Sequence, residues 1–241
     1  MEYDGTGFSG YQSQGQGERT VQSVIAQRLH QLSPREYAVI HAAGRTDTGV
    51  HALGQVISFA TSSSIPIERF AIALNSILPA DVSVSQAEEV PQQFHARFSA
   101  KSRTYGYLLW MRSTRSAIWG RYSLHVRVPL NIAAMRSAAR DLVGIHDFAA
   151  YGKTGDVKHS TIRKIESLNI YRLSEGRILV VVTATGFLRS MVRNIVGMLL
   201  EVGKGNASPR TAREVLQAGS RTRNPYPPVA AHGLFLWRVR Y

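Results

Sequence analysis

Apolar residues recur along this chain at two spacings, one typical of helices and the other typical of strands. Residues 188–202 place six apolar side chains on one helical face: Leu188, Met191, Val192, Ile195, Val196 and Leu199. Residues 81–90 instead alternate apolar and polar side chains, as a half-buried strand does. The same criteria predict further helices over 20–32, 66–78, 131–142 and 209–218, and further strands over 37–43, 55–60, 103–111, 124–128, 162–171, 177–183 and 233–240.

Each half of the chain therefore carries both strands and helices, which predicts an α+β fold built from two similar units. We place an N-terminal unit at residues 1–98 and a C-terminal unit at 99–241, with a hinge near residues 91–102. Two such units can join their sheets around a central cleft.

Charge points to a polyanionic partner. The 241 residues carry a net charge of +13, and 24 of the 29 basic residues are arginines. Residues 94–241 hold 24 basic and 7 acidic groups, whereas residues 1–93 hold 5 and 9. Arginine has a planar fork for phosphates and a flat face for bases, so a nucleic acid is favoured. No strongly basic amphipathic helix with a clean apolar face supports a membrane surface instead.

Several classes of chemistry are excluded or disfavoured. The chain has no cysteine, so disulfides, thiolate metal sites and cysteine nucleophiles are excluded. Its 8 histidines show no H-E-x-x-H spacing, and we expect no metal. No signal peptide is visible and no apolar stretch is long enough to span a bilayer, which favours the cytoplasm. Residues 5–10 match G-x-G-x-x-G without the strand and helix that a dinucleotide site needs, and predict a flexible loop.

A loop framed by glycines is the main candidate for chemistry. Residues 44–52 read Gly-Arg-Thr-Asp-Thr-Gly-Val-His-Ala and lie between two strand-like segments. Glycines permit a tight loop that can hold the Asp47 carboxylate at a fixed position. Taken alone, Asp47 is by default explained as a residue that caps a turn.

Two other segments have both a functional and a structural interpretation. Residues 94–107 interleave aromatic and basic side chains, which suits stacking on unpaired bases and contact with phosphates. They are equally well explained as a linker that runs into an amphipathic strand. Arg193 lies beside the apolar face of a predicted helix, where it can extend its head to water or pair with a carboxylate.

Together these segments resemble the TruA family of tRNA pseudouridine synthases. The resemblance rests on Tyr3-Asp4-Gly5-Thr6 with Gly10-Tyr11-Gln12, and on residues 44–52, 94–107, 187–197 and 231–234. It implies isomerisation of uridine to pseudouridine at positions 38, 39 and 40 in the anticodon stem-loop of tRNAs. It also implies two ferredoxin-like halves related by pseudo-symmetry, and a homodimer that needs neither a metal nor an organic cofactor.

The resemblance implies a role for each of four residues. Asp47 matches the catalytic aspartate, which must be ionised to attack the flipped uridine. Arg193 matches the arginine that pairs with this carboxylate and favours its charged form. Tyr105 matches the tyrosine that stacks on the target uracil and is implicated in proton removal. Arg45 matches an arginine that occupies the gap left by the flipped nucleotide. Attack at C6 of the base, attack at C1′ of the ribose and a glycal intermediate all remain compatible with these residues.

Further positions follow the family in part. Five consecutive residues match a tRNA-contacting stretch: Phe94, His95, Ala96, Arg97 and Phe98. Lys158 and His159 lie in a second expected RNA-binding loop, although family members often have Ser-x-x-Arg-Thr-like residues there. Tyr11 stands where the family usually has tryptophan. The chain begins inside a strand that precedes Tyr3 in the family, so we expect the native N-terminus to extend upstream of Met1.

Two other functions compete with this one. The basic C-terminal half also suits a non-catalytic tRNA-binding or RNA-folding protein on the same scaffold. A carboxylate-dependent hydrolase is disfavoured, because no motif places a second acid as a partner for Asp47.

Overall fold

A computed structural model describes residues 1–12, 17–33, 39–153 and 160–241 of the chain. Two compact units are present, the first formed by Met1–Lys101 with Phe235–Tyr241 and the second by Ser102–Leu234. In chain order the main elements are β1 (Glu2–Tyr3), α1 (Val21–Leu32), β2 (His41–Ala42), β3 (His51–Ala52), β4 (Ile57–Ser58), α2 (Ile67–Asn75), β5 (Val82–Ser83), β6 (Ser102–Met111), β7 (Leu124–Val126), α3 (Ile132–Arg140), β8 (Gly144–Asp147), β9 (Ile162–Arg172), β10 (Arg177–Ala184), α4 (Met191–Lys204), α5 (Thr211–Ala218) and β11 (Leu234–Arg240).

The division of the chain differs from the expected one in two respects. The expected boundary lay between residues 98 and 99, whereas the observed units meet at Lys101 and Ser102. We also expected the last strand in the C-terminal unit. Almost all of β11 belongs to the first unit, because it pairs in parallel with β3 through Phe235 opposite His51 and Leu236 opposite Ala52.

The first unit is built from short strands and two helices. β1 lies between β3 and β5 and is antiparallel to both, and β2 pairs with β4. α1 begins after Thr20, whose hydroxyl oxygen accepts a hydrogen bond of 3.1 Å from the Ser23 amide. The predicted strand over 81–90 shortens to two residues. The Asn75 side chain takes both backbone hydrogen bonds of Val84, each 2.8 Å, in place of a strand partner.

The second unit contains a longer antiparallel sheet. Its strand order is β6-β10-β9-β8, and β7 adds in parallel beside β6. Helix α3 packs against β9 and α4, and α5 packs against both helices. Within α4, every residue from Met191 to Leu200 except Arg193 is buried, which makes this helix the centre of the unit's core. The predicted α+β class is confirmed, since each unit combines strands with helices.

Candidate active site

Asp47 lies in a tight turn between β2 and β3. The Val50 amide donates a hydrogen bond of 3.1 Å to the Asp47 carbonyl oxygen, which closes the turn over residues 47–50. Gly49 occupies the third position of this turn with φ of 74°, in the left-handed region that favours glycine. The predicted glycine-framed loop therefore exists, and Gly49 is required by its backbone conformation.

The backbone next to Asp47 is anchored through Thr46. The Thr46 side chain is 8% exposed and its hydroxyl lies 2.8 Å from the buried Tyr3 hydroxyl. Its carbonyl oxygen accepts a hydrogen bond of 3.0 Å from the Tyr11 amide. On either side of Thr46 the exposure rises, since Arg45 is exposed and Asp47 is half-buried. The loop thus holds one side chain in the core and presents its neighbours outward.

Gln55 fastens the start of the same loop. Its fully buried side chain donates a hydrogen bond of 2.7 Å to the Gly44 carbonyl oxygen and accepts one of 3.3 Å from the Gly44 amide. The same side-chain amide lies 3.4 Å from the Tyr3 hydroxyl. Sequence reasoning missed Gln55, Thr46 and Tyr3 as supports of the loop. The only signal was the presence of polar groups within or beside apolar segments.

The glycines of residues 5–10 approach the Asp47 turn closely. A Cβ at Gly5 would collide with the Val50 carbonyl oxygen, and one at Gly10 would lie 3.0 Å from the Thr46 carbonyl oxygen. Gly10 also has φ of 98°. The expectation of a flexible loop is wrong, because Gly5–Gly7 forms a 3-10 turn and Phe8 is buried. These glycines permit backbone-to-backbone packing that a side chain would prevent.

The end of the loop is held by His51. The Gly5 amide donates a hydrogen bond of 2.9 Å to Nδ1 of this buried histidine, whose ring stacks on Phe235 at 4.8 Å. Burial raises the pKa of the neighbouring Tyr3 to about 12. The Tyr3 phenol therefore stays protonated at neutral pH and keeps its hydrogen bond to the loop.

Tyr105 lies on β6 of the second unit's sheet. It is 8% exposed and pairs with Val182 of β10. Its ring meets the Phe187 ring edge to face, with centroids 5.0 Å apart and an interplanar angle of 83°. Phe187 therefore fixes the orientation of the Tyr105 ring, a role that sequence reasoning did not assign.

Arg193 lies in the first turn of α4 and is held by the chain that precedes β11. Its Nε donates a hydrogen bond of 2.7 Å to the Val229 carbonyl oxygen, and its own carbonyl oxygen accepts one of 3.2 Å from the Val229 amide. Burial raises the pKa of the Tyr107 phenol, and the Arg193 guanidinium opposes this with a smaller effect that lowers the pKa. The orientation of the guanidinium plane is thus set by a backbone contact. An arginine that only extends into solvent has no such constraint.

The residue that caps α4 has an unusual backbone. Ser190 has φ of 60°, a conformation that residues other than glycine rarely adopt. Its carbonyl oxygen accepts a hydrogen bond of 3.0 Å from the Asn194 amide, and the preceding Arg189 carbonyl oxygen accepts one of 3.1 Å from Lys153. Such strain is tolerated where surrounding contacts over-determine the backbone. Here it lies between Phe187, which contacts Tyr105, and Arg193.

The five residues of the expected RNA-contacting stretch divide into two groups. Phe94 and Ala96 face the protein: the Phe94 ring packs on Tyr241 at 4.9 Å, and the Ala96 carbonyl oxygen accepts a hydrogen bond of 2.7 Å from the Tyr241 hydroxyl. Arg97 and Phe98 are exposed, Phe98 to 75%, and His95 is half-buried beside them. Lys158 and His159 lie outside the described residues.

His95, Arg97 and Phe98 form one stack. The His95 ring lies 4.1 Å from the His41 ring and 4.4 Å from the Phe98 ring. The Arg97 guanidinium carbon lies 5.4 Å from the centre of the Phe98 ring. Sequence reasoning did not connect His41, which comes from β2, with this group. Phe98 and Arg97 are both exposed in this stack, so flat groups of a ligand can reach them.

The predicted catalytic residues are distributed over the two units. Asp47 and Arg45 belong to the first unit, whereas Tyr105 and Arg193 belong to the second. In the described ranges, no three or more His, Cys, Asp or Glu side chains form a group suited to a metal ion. Nor does any helix in that part of the chain have the length and apolar character needed to cross a membrane.

Comparison with known proteins identifies the class to which this fold and these residues belong. The profile of the tRNA pseudouridine synthase family matches residues 1–99 and 138–241. The match covers well over half of the chain, and the chain belongs to this family.

Individual relatives agree with the family assignment. A protein named tRNA pseudouridine synthase A from Ruminiclostridium cellulolyticum is 40% identical over 241 residues, covering 100% of this chain and 97% of that protein. A protein of the same name from Halalkalibacterium halodurans is 43% identical, covering 92% of this chain and 83% of that protein. Another from Bacillus pumilus is also 43% identical, covering 100% of this chain and 97% of that protein. The similarity therefore extends over the whole chain, including both units.

Proposed function

We propose that this protein isomerises uridine to pseudouridine at positions 38, 39 and 40 in the anticodon stem-loop of tRNAs, with Asp47 as the essential catalytic carboxylate. Membership of the tRNA pseudouridine synthase family supports the reaction. The observation that carries the role of Asp47 is its half-buried position in a turn anchored by Tyr3, Thr46 and Gln55. Anchored supports of this kind hold a reacting group in one geometry.

The proposed reaction rearranges one nucleoside without a net gain or loss of atoms. The bond between N1 of uracil and C1′ of ribose breaks, and a bond between C5 and C1′ forms. A proton leaves C5 and N1 gains one. Asp47 must be ionised to serve as the nucleophile. Asp47 is half-buried in its turn, so it is not enclosed in the core, and in this proposal it meets a nucleotide flipped out of its stack.

Three further side chains receive roles in this proposal. Tyr105 stacks on the target uracil and takes part in proton removal, and its contact with Phe187 supports a fixed ring position. Arg193 supplies a positive charge that favours an ionised carboxylate, and its hydrogen bond to Val229 supports a fixed orientation. Arg45 is exposed beside Asp47 and fills the space vacated by the nucleotide.

The proposal is tested by mapping pseudouridine in anticodon arms after incubation of tRNA with the purified protein. We expect new pseudouridine at positions 38, 39 and 40 where uridine is present. Bound tRNA without any new pseudouridine would favour the non-catalytic RNA-binding alternative. We also propose that the protein is a homodimer, which sedimentation tests; a fully monomeric enzyme with normal turnover would contradict that part. We place the reaction in the cytoplasm.

Phe98 is proposed to stack on an unpaired base of the tRNA. We expect Phe98→Ala to weaken tRNA binding by about 1–3 kcal/mol, because stacking of a base on an aromatic ring contributes about that amount. Filter binding measures the effect. Ile72→Ala is the matched control, since Ile72 is also a large apolar side chain and is 71% exposed. Equal affinities of the Phe98 variant and the control would contradict a stacking role.

A further inference from the structure

One end of the second unit's sheet carries arginines that the proposed reaction does not use. At this end β6, β7 and β9 finish and β10 begins, as the pairing of Trp110 with Arg177 and of Arg172 with Ile178 shows. We call this group the arginine end; its members are Arg112, Arg115, Arg121, Arg127, Arg172 and Arg177. Over residues 112–128 and 171–177, Glu175 is the single acidic residue. The arginine end is therefore a local concentration of positive charge.

The segment 112–123, which joins β6 to β7 and carries Arg112, Arg115 and Arg121, is held in place by hydrogen bonds. Trp110 donates one of 3.0 Å from Nε1 to the Thr114 carbonyl oxygen, and Ser123 donates one of 2.6 Å to the Trp119 carbonyl oxygen. An imidazole nitrogen of His125 lies 2.8 Å from the Arg112 carbonyl oxygen. Arginines on a pre-ordered segment lose less conformational entropy when they bind a ligand.

Two of the guanidinium groups stack on tryptophan rings. The Arg112 guanidinium carbon lies 5.3 Å from the centre of the Trp110 ring, and that of Arg177 lies 4.8 Å from the centre of the Trp119 ring. Arg177 is also tied to Ser174 by hydrogen bonds of 2.8 and 3.2 Å, so it supports the surface. Arg112 is exposed, and stacking leaves the N–H edge of a guanidinium directed outward, which is the edge that binds phosphate oxygens.

The end of the sheet that carries these arginines is distant from Tyr105 of the same unit. Tyr105 pairs with Val182 and Trp110 with Arg177, and these two pairs are five positions apart along the strands. At a strand rise of about 3.4 Å per residue this is roughly 17 Å. Arg177 at this level of the sheet, and Arg112 beyond it, therefore do not contact the uridine that stacks on Tyr105 in the proposed reaction. An RNA that touches both places must continue well beyond the target nucleotide.

We propose that the arginine end binds the phosphate backbone of the tRNA substrate outside its anticodon stem-loop. This proposal rests on the proposed function, because it takes tRNA to be the substrate. Phosphate contacts position a nucleic acid and carry no sequence information, which suits a surface made of arginines with one acidic neighbour. The fixed backbone and the stacked guanidinium groups let the surface accept an RNA without rearrangement.

The test replaces Arg112, Arg115 and Arg121 together with glutamine. The control replaces Arg140, Arg210 and Arg213 with glutamine, which removes the same amount of charge. These three arginines are also exposed, but they lie on or next to α3 and α5. Both variants and the original protein are assayed with full-length tRNA and with an isolated anticodon stem-loop hairpin. With full-length tRNA we expect the first variant to raise KM about tenfold at unchanged kcat. We also expect the slope of log affinity against log salt to fall by about 2 to 3, as the loss of three phosphate contacts requires. With the hairpin we expect no difference.

Each other result overturns the proposal. Equal losses on tRNA and hairpin would place the effect at the reaction centre, and a loss no larger than that of the control would show only bulk charge. A variant that sediments as a smaller species would show that the surface contacts a second copy of the chain. If thermal unfolding shows that the triple variant is not folded, the single variant Arg115→Gln replaces it. We expect this single change to raise KM by a smaller factor. Filter binding of both RNAs gives the comparison without turnover, so a failure of the proposed reaction is distinguished from a failure of this proposal.

Discussion

Replacing Asp47 with asparagine is expected to abolish release of tritium from 5-tritiated uridine in tRNA. Asparagine has nearly the same shape but no negative charge, so it cannot act as an anionic nucleophile. Loss of a catalytic nucleophile lowers kcat by roughly 10³-fold or more. The supports of the turn come from Tyr3, Thr46 and Gln55, which the substitution does not touch. We therefore expect tRNA affinity and the melting temperature to change little.

The matched control is Asp141→Asn, which makes the same chemical change at the end of α3. Asp141 lies 3.6 Å from Arg213 in an ion pair whose arginine is largely exposed, and such pairs contribute little to stability. This variant should keep normal tritium release. Retention of more than about a tenth of the normal rate by the Asp47 variant would show that another group performs the chemistry and that Asp47 is not the nucleophile.

Replacing Gly5 with alanine is expected to be the most damaging change of a residue outside the reaction centre. The added Cβ would collide with the Val50 carbonyl oxygen, which belongs to the backbone and cannot rotate away. Overpacking of this kind costs about 3 kcal/mol. For a chain of this size the melting temperature should fall by roughly 6–12 °C. Because Val50 closes the turn of Asp47, we also expect kcat to fall.

Gly120→Ala is the control for this change. A Cβ at Gly120 meets nothing within 4 Å, and the φ angle of Gly120 is not positive. Its effect on stability should stay within about 0.5 kcal/mol, as for most surface substitutions. Thermal unfolding measured by circular dichroism compares the two variants. A Gly5 variant with the same melting temperature as the original protein would show that residues 5–10 can move away from the turn at 47–50 without loss of stability.

Local sequence patterns predicted the helices well and the short strands poorly. The apolar spacing of α4 and the Thr20 cap of α1 depend on residues within one or two turns of each other, so they are visible in the sequence. The strand predicted over 81–90 ends after Ser83, because Asn75 binds the backbone of Val84. That contact joins the last residue of α2 to the residue that follows β5, and the apolar spacing of neither segment reveals it.

The candidate site shows the same division. The glycine-framed loop, its aspartate and the stretch 94–98 could all be found from the sequence, and the family relationship supports their proposed roles. The sequence did not show that Phe94 and Ala96 face the protein while His95 stacks on His41. Whether an aromatic residue packs or is presented depends on partners far along the chain.

By itself, the sequence determined the α+β class, the positive charge of the second half, the position of Asp47 on a turn and the family of the protein. The tertiary structure alone decided which groups hold that turn. Gly5, Tyr3 and Gln55 each lie within hydrogen-bonding or packing distance of residues that are 11 to 46 positions away. It also gathered separate arginines at one end of a sheet. Helical and strand periodicity arises from neighbouring residues, whereas these contacts arise from the packing of distant backbone segments, which composition and spacing do not encode.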